Sequence, residues 1–312
     1  MAKPSRSQNP FHLLAEAWTF FWKQPALLSV LIWFLIFPVA LADILMANWP
    51  QSSIESTQQI GSMGFGLMML IMVVVTFWGL ACVLLVGRRL VLSKSGRART
   101  SFRSVRRESV KYIVPLFFTS LLRSIITIEW SLIAIVPGVL YVLTAQQCRA
   151  TFSPLLSRLG TFFDSGSVGS LFPIFQPFLH SCWPLFFSSI FLIPAVVYQI
   201  RSAFFGIVIV ADNLRYRDAL RQSRIMIRGH FWKTVWVLAV LFIVTFAPAQ
   251  IVAFAVEFVQ GIAAPQLSII SIVFDDAMGA IASLFFLLSL IAYYGKLRKN
   301  AGRVEEVVPE VE

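Results

Sequence analysis

Four arginines in the C-terminal third of the chain recur at helical spacing: Arg217, Arg221, Arg224 and Arg228. At ~100° per residue they fall within about 60° of one another on a helical wheel. Tyr216, Leu220, Ile227 and Phe231 form a neighbouring apolar stripe. A helix of this kind lies in the headgroup layer of a bilayer. Its guanidinium groups meet lipid phosphates, each worth about 1 kcal/mol near an anionic surface. Two further arginines, Arg123 and Arg201, sit inside apolar stretches. A charge near mid-membrane costs roughly 2.5–3.5 kcal/mol on insertion scales, so it faces a partner or a wet cavity. Contact with a lipid phosphate or an anionic substrate is the functional reading of this pair. A snorkelling or structurally paired arginine is the plainer reading, and the favoured one. Glu129 follows Arg123 at a spacing that does not share a helical face, so a pair between them would run across helices.

The other reactive side chains form no constellation. His12, His180 and His230 are far apart and match no metal motif. Asp275 and Asp276 are adjacent; neighbours on a helix diverge by about 100°, which suits a shared cation or paired-carboxylate catalysis poorly. They read as an exposed pair at the outer interface. Cys82, Cys148 and Cys182 lie in or beside apolar stretches without metal-ligand spacing, so small buried hydrophobes are expected rather than a disulfide framework. Gly61, Gly64 and Gly66 lack the preceding strand and the following lysine of a phosphate loop. No Gly-x-Ser-x-Gly, His-Glu-x-x-His or Cys-x-x-Cys run occurs. The expectation is a chain without catalytic residues, metal or cofactor.

What must position the arginines is a set of membrane helices. Hydrophobic residues make up 58% of the chain and charged ones 13%, against roughly 25% charged in soluble domains. The runs Ala26 to Ala47, Gly66 to Gly87 and Val235 to Val256 each reach the ~20 residues that span a hydrocarbon core. They are apolar all round and do not alternate, so helices are expected and not a barrel. The first is too long, and starts too far along, to be a cleavable signal peptide.

Lys and Arg number 26 against 15 Asp and Glu, a net charge of +11. In a soluble protein that excess would point to nucleic acid. Here the bases cluster in segments that an alternating topology leaves on one side of the membrane, and Asn48 to Ser62 and Glu257 to Asp276 contain none. Basic loops mark the cytoplasmic side. Both ends are therefore placed inside, the charges anchor helices and touch anionic lipid, and no nucleic-acid partner is expected.

Residues 1–25 read as a cytoplasmic interfacial segment, with Phe11, Leu14, Trp18 and Phe21 at three- or four-residue spacing. Gly87 to Lys111 carries nine bases against Glu108 and reads as a second inner amphipathic helix, Arg99, Arg103 and Arg106 on one face and Phe102, Val105 and Tyr112 on another. Tyr112 to Gln147 and Ser170 to Ala211 are too long for one crossing and broken by prolines, so each reads as a helical hairpin, the first turning near Glu129. The fold class expected is all-α: a polytopic transmembrane bundle over residues 26–295 with about eight crossings and interfacial amphipathic helices. Six is the alternative, if the proline-broken stretches dip in rather than cross twice. Residues 296–312 read as a disordered cytoplasmic tail. Short echoes, such as Phe21-Trp22-Lys23 and Phe231-Trp232-Lys233, are equally compatible with an old duplication and with chance.

The run Ala219-Leu220-Arg221-Gln222-Ser223-Arg224, followed by Gly229 and Trp232, resembles a pattern in bacterial integral membrane proteins: the family of the glycerophosphoryl diester phosphodiesterase membrane domain and its uncharacterised inner-membrane relatives. In these an apolar hairpin with a Pro-Gly pair leads into an Ala-Leu-x-x-Ser … Gly-x-x-Trp amphipathic helix and two final crossings. Leu192 to Lys233 matches best, with Pro194-Ala195 in place of Pro-Gly, which Pro137-Gly138 keeps in the earlier stretch. The resemblance implies a helical domain of the bacterial cytoplasmic membrane and no particular activity. No loop is long enough for the soluble phosphodiesterase domain that some relatives carry. The leading expectation is a non-enzymatic, lipid-interacting or envelope-homeostasis scaffold, with anionic membrane lipids as partners and protein partners open. A transporter or lipid translocator for an anionic substrate is the alternative; an enzyme acting on lipid comes last.

Overall fold

A computed structural model describes residues 9–47, 55–92, 101–144, 190, 192–263 and 268–305. Among the described residues every regular element is helical. In chain order they are α1 (Pro10–Lys23), α2 (Pro25–Val30), a π-helical turn (Leu31–Ile36), α3 (Phe37–Ala47), α4 (Glu55–Leu92), α5 (Phe102–Thr144), α6 (Ile193–Arg201), α7 (Phe205–Asp212), α8 (Tyr216–Ile227), α9 (Phe231–Ala263) and α10 (Ser268–Glu305). Six of these stretches are long and apolar enough to cross a membrane: Pro25–Ala42, Gly66–Arg88, Phe102–Ile133, Ile193–Asp212, Phe231–Val256 and Val273–Lys299. This is the architecture of a multi-pass integral membrane protein.

The expected hairpin with a turn near Glu129 does not form. The chain runs as one helix from Phe102 to Thr144, about 64 Å at 1.5 Å per residue. Glu129 and Trp130 are both exposed, and neither breaks a helix. Proline does not end it either, since within a membrane the freed carbonyl can be met locally. Around Pro115 the helix also carries a side-chain bond, Thr119 Oγ1 donating to the Pro115 carbonyl at 2.6 Å. Eight crossings are not reached among the described residues. Most of the second proline-broken stretch, and with it Arg149, Arg158 and His180, lies outside them.

The chain divides into two compact units, residues 1–120 with 202–312, and residues 121–201. In the first, α10 is the central helix. It packs on α9, α1, α4, α3 and the π turn, and touches α8. More than half of its span is buried, the largest share of the six. Leu284, Leu288, Ile291, Tyr293 and Tyr294 are fully enclosed. The helix does not stop where a tail was expected: it continues through Lys296 to Glu305, with Leu297 buried.

Helix α1 is held from the start. Asn9 Oδ1 accepts from the Phe11 amide at 3.1 Å, with Pro10 in the first turn. Its buried face is Leu13, Ala17 and Phe20, packed on α10. Of the stripe expected to face the bilayer, Phe11 and Trp18 are exposed, and Trp18 and Phe21 also lie against Phe285. The helix thus has two apolar sides, and Lys296 ties it to α10 through Glu16 at 2.9 Å.

The π turn has a local cause. Pro38 has no amide to give the Phe34 carbonyl, and its ring crowds that carbonyl. The Phe37 amide accordingly bonds to Ile32, one residue further back than in an α-helix. The widened turn pushes Phe34 toward α4 at Gly79, where a Cβ would meet Phe34 Cβ at 2.7 Å.

In the second unit, α6 lies beside α5 at Arg123 and Thr127. Arg123 donates to the side-chain oxygen of Gln199 and, at 3.2 Å, to its carbonyl. The Gln199 amide donates to Thr127 Oγ1 at 2.8 Å.

Candidate functional site

Helix α8 carries Arg217, Arg221 and Arg224, and Arg228 caps its C-terminal end. Arg217, Arg221, Arg224 and Arg228 are exposed, while Ala219, Leu220, Ser223 and Ile227 are buried. The buried face is shifted slightly from the expected stripe: Leu220 and Ile227 are in it, Tyr216 is not. Asp218 sits in the first turn, the favoured end for an acid, and Arg224 in the last, the favoured end for a base. Arg224 Nε donates to the Leu220 carbonyl at 3.3 Å. The helix ends at Gly229, whose φ of +86° is the left-handed cap that L side chains avoid.

Three contacts explain why α8 stays where it is. Ser223 Oγ, buried, accepts from the Phe204 amide at 3.2 Å. That amide opens α7 and has no carbonyl partner within the helix. The serine of the Ala-Leu-x-x-Ser run thereby has a structural role, capping one helix from the side of another. Next, α7 ends in Asp212 and a left-handed Asn213. Asp212 accepts from Tyr294 Oη at 2.6 Å and pairs with Arg298 Nη1 at 2.9 Å. Finally, α9 starts just after Gly229, and Thr234 Oγ1 lies 3.3 Å from Tyr293 Oη. Two tyrosines of α10 thus receive the two segments that flank α8.

Asp212, Tyr293 and Tyr294 were not singled out from the sequence. The available signal was Asp212 itself, a lone carboxylate closing an apolar run in a basic neighbourhood, where a charge needs a partner. Arg123 is accounted for by Gln199 rather than by Glu129, which is exposed. Arg201 is exposed at the end of α6. Both belong to the second unit, and α8 to the first. His12 and His230 are exposed, and Asp275 is exposed beside a half-buried Asp276. Cys82 is buried, its thiol donating to Ser109 Oγ at 3.2 Å; Cys148 and Cys182 lie outside the described residues. Among the described residues no group of three His, Cys, Asp or Glu could hold a metal.

No protein-family model, curated protein or solved structure matches this chain. What the site can do therefore follows from its own geometry: an exposed row of guanidinium groups on a helix whose other face is anchored in the bundle.

Proposed function

We propose that the protein is a non-enzymatic integral protein of the bacterial cytoplasmic membrane, both ends inside. It gathers anionic lipid at α8 and serves as an envelope scaffold. The observation that carries this reading is the division of α8 into an anchored face and an exposed cationic one. The guanidinium row lies between the ends of two candidate spans, Asp212 and Phe231. That is where a helix meets headgroups. The exposed tryptophans Trp22 and Trp232, at the ends of α1 and α9, have the amphipathic rings found at that level.

The test is lipid retention by the purified protein. In detergent titrated with phosphatidylglycerol or phosphatidylcholine, the anionic lipid is expected to bind preferentially. Replacing Arg217, Arg221 and Arg228 by Gln should weaken that preference by up to about 100-fold at low salt, from about 1 kcal/mol per charge. The effect should shrink as the Debye length falls. Equal retention by wild type and variant removes the proposal. Transport of an anionic substrate rests on less, because the bonds of Arg123 to Gln199 give that arginine a structural explanation.

A further inference from the structure

A second feature of the first unit lies away from α8. Between the π turn with α3 and the middle of α4, from Leu67 to Trp78, runs an open apolar groove of about 510 Å³. Trp33, Phe37 and Leu41 form one wall, Leu67 and Ile71 the other, and Trp78 closes one end. From Leu67 to Trp78 the groove follows α4 for about 16 Å. That is about half the length of the span Gly66–Arg88. The same Trp78 is a wall of a second cavity, of about 560 Å³, lined by Ser101, Arg103, Ser104, Arg106 and Arg107. Its indole N–H donates to Ser109 Oγ at 2.9 Å and to the Arg106 carbonyl at 3.3 Å. Phe34 packs edge-on against its ring and also meets Phe102. The partition between the two cavities is therefore fixed.

The second cavity is cationic and uncompensated. Arg103, Arg106 and Arg107 are exposed, and among the described residues no acid pairs with them. The neighbouring Glu108 is bonded to Lys111 at 3.3 Å. An apolar channel about 16 Å long that shares a wall with a three-arginine pocket is complementary to one kind of molecule. It has a long hydrocarbon chain joined to an anionic head that accepts several hydrogen bonds.

We propose that this paired groove and pocket is a discrete site for one anionic glycerophospholipid, an acyl chain along Ile71 and its phosphate among Arg103, Arg106 and Arg107. Wrapping by the π turn makes the chain-binding half, and the start of α5 makes the head-binding half. The site shares its lipid class with the α8 surface but none of its residues, so either can fail alone.

Native mass spectrometry of the full-length protein, titrated with palmitoyl-oleoyl phosphatidylglycerol and with phosphatidylcholine of the same chains, tests it. One phosphatidylglycerol is expected to be retained at least 10-fold more tightly than phosphatidylcholine. Changing Arg103, Arg106 and Arg107 together to Gln should erase that difference, and changing them to Lys should keep most of it. Ile71→Trp, which fills the groove without touching charge, should weaken both lipids about 10-fold. Arg217→Gln with Arg221→Gln should leave the single tight lipid in place. Glycerol 3-phosphate, a head without chains, should not displace it. A tight lipid that survives the Gln variant, ignores Ile71→Trp or yields to glycerol 3-phosphate overturns the proposal. If the Gln variant fails to fold, Ile71→Trp and the Lys variant decide.

Discussion

Ser223→Ala isolates the contact that fixes α8. Ser223 and Phe204 are both fully buried, and the serine hydroxyl accepts the Phe204 amide at 3.2 Å. Alanine fills almost the same volume, so the packing term is small. What remains is a buried amide with its side-chain acceptor removed, a loss of about 1–3 kcal/mol. At 1.4 kcal/mol per factor of ten, the segment around Phe204 and the helix that carried the serine should open about 5- to 150-fold more often. Hydrogen–deuterium exchange of the purified protein reads this directly. Amides at the start of α7, and those of Ala219 to Ile227, should exchange faster by that factor. Amides in the middle of α9 should not change. Ser283, exposed on α10, supplies the control: Ser283→Ala should leave the whole map unaltered. If Ser223→Ala leaves α7 and α8 as protected as in the parent, the serine is not the link between them, and the account of the Ala-Leu-x-x-Ser run is wrong.

Asp212→Asn should lower thermal stability in detergent by about 1 kcal/mol, a modest figure because Arg298 is 43% exposed; adding Arg298→Gln should cost less than the two changes separately, and strictly additive losses would deny the pairing. Gly229→Ala places a side chain at φ +86° with nothing within 4 Å of it, so a loss of about 1–2 kcal/mol from backbone strain alone is expected, read as a lower unfolding midpoint that Gly229→Asn partly restores. Gly79→Ala should destabilise the first unit because its Cβ would press on Phe34, and Phe34→Ala in the same chain should relieve part of the damage; no relief would place the conflict elsewhere.

The class of fold was legible because the bilayer is a severe solvent: long runs without charge have few alternatives to spanning it. The faces of the helices were less so. In α1 the wheel offers Leu13, Ala17 and Phe20 on one side and Phe11, Leu14 and Trp18 on another. Both are apolar because protein and lipid are equally so. Only packing tells which one meets α10. The break near Glu129 misled for a related reason. A single carboxylate inside an apolar run reads as a loop, yet a helix carries it through when the side chain is exposed. The arginine row of α8 was readable from spacing, whereas its anchors were not. Asp212 is some eighty residues from Tyr294 and Arg298, and no local pattern joins it to them. The π turn escaped notice although its cause, Pro38, was in plain view. What a proline does to the turn before it depends on what lies opposite, here a glycine on α4.

The helix on which the first unit rests, α10, is also the one synthesised after all its neighbours. Until the ribosome has delivered it, the faces that α1, α4 and α9 turn toward it in the finished unit meet lipid or insertion factors instead. Earlier helices can already pack on one another, α4 on the π turn and on α7, but the core of this unit closes only in a late step. A nonsense codon early in α10 should leave a product that inserts but is cleared by membrane proteases, even though most of the polypeptide has been made.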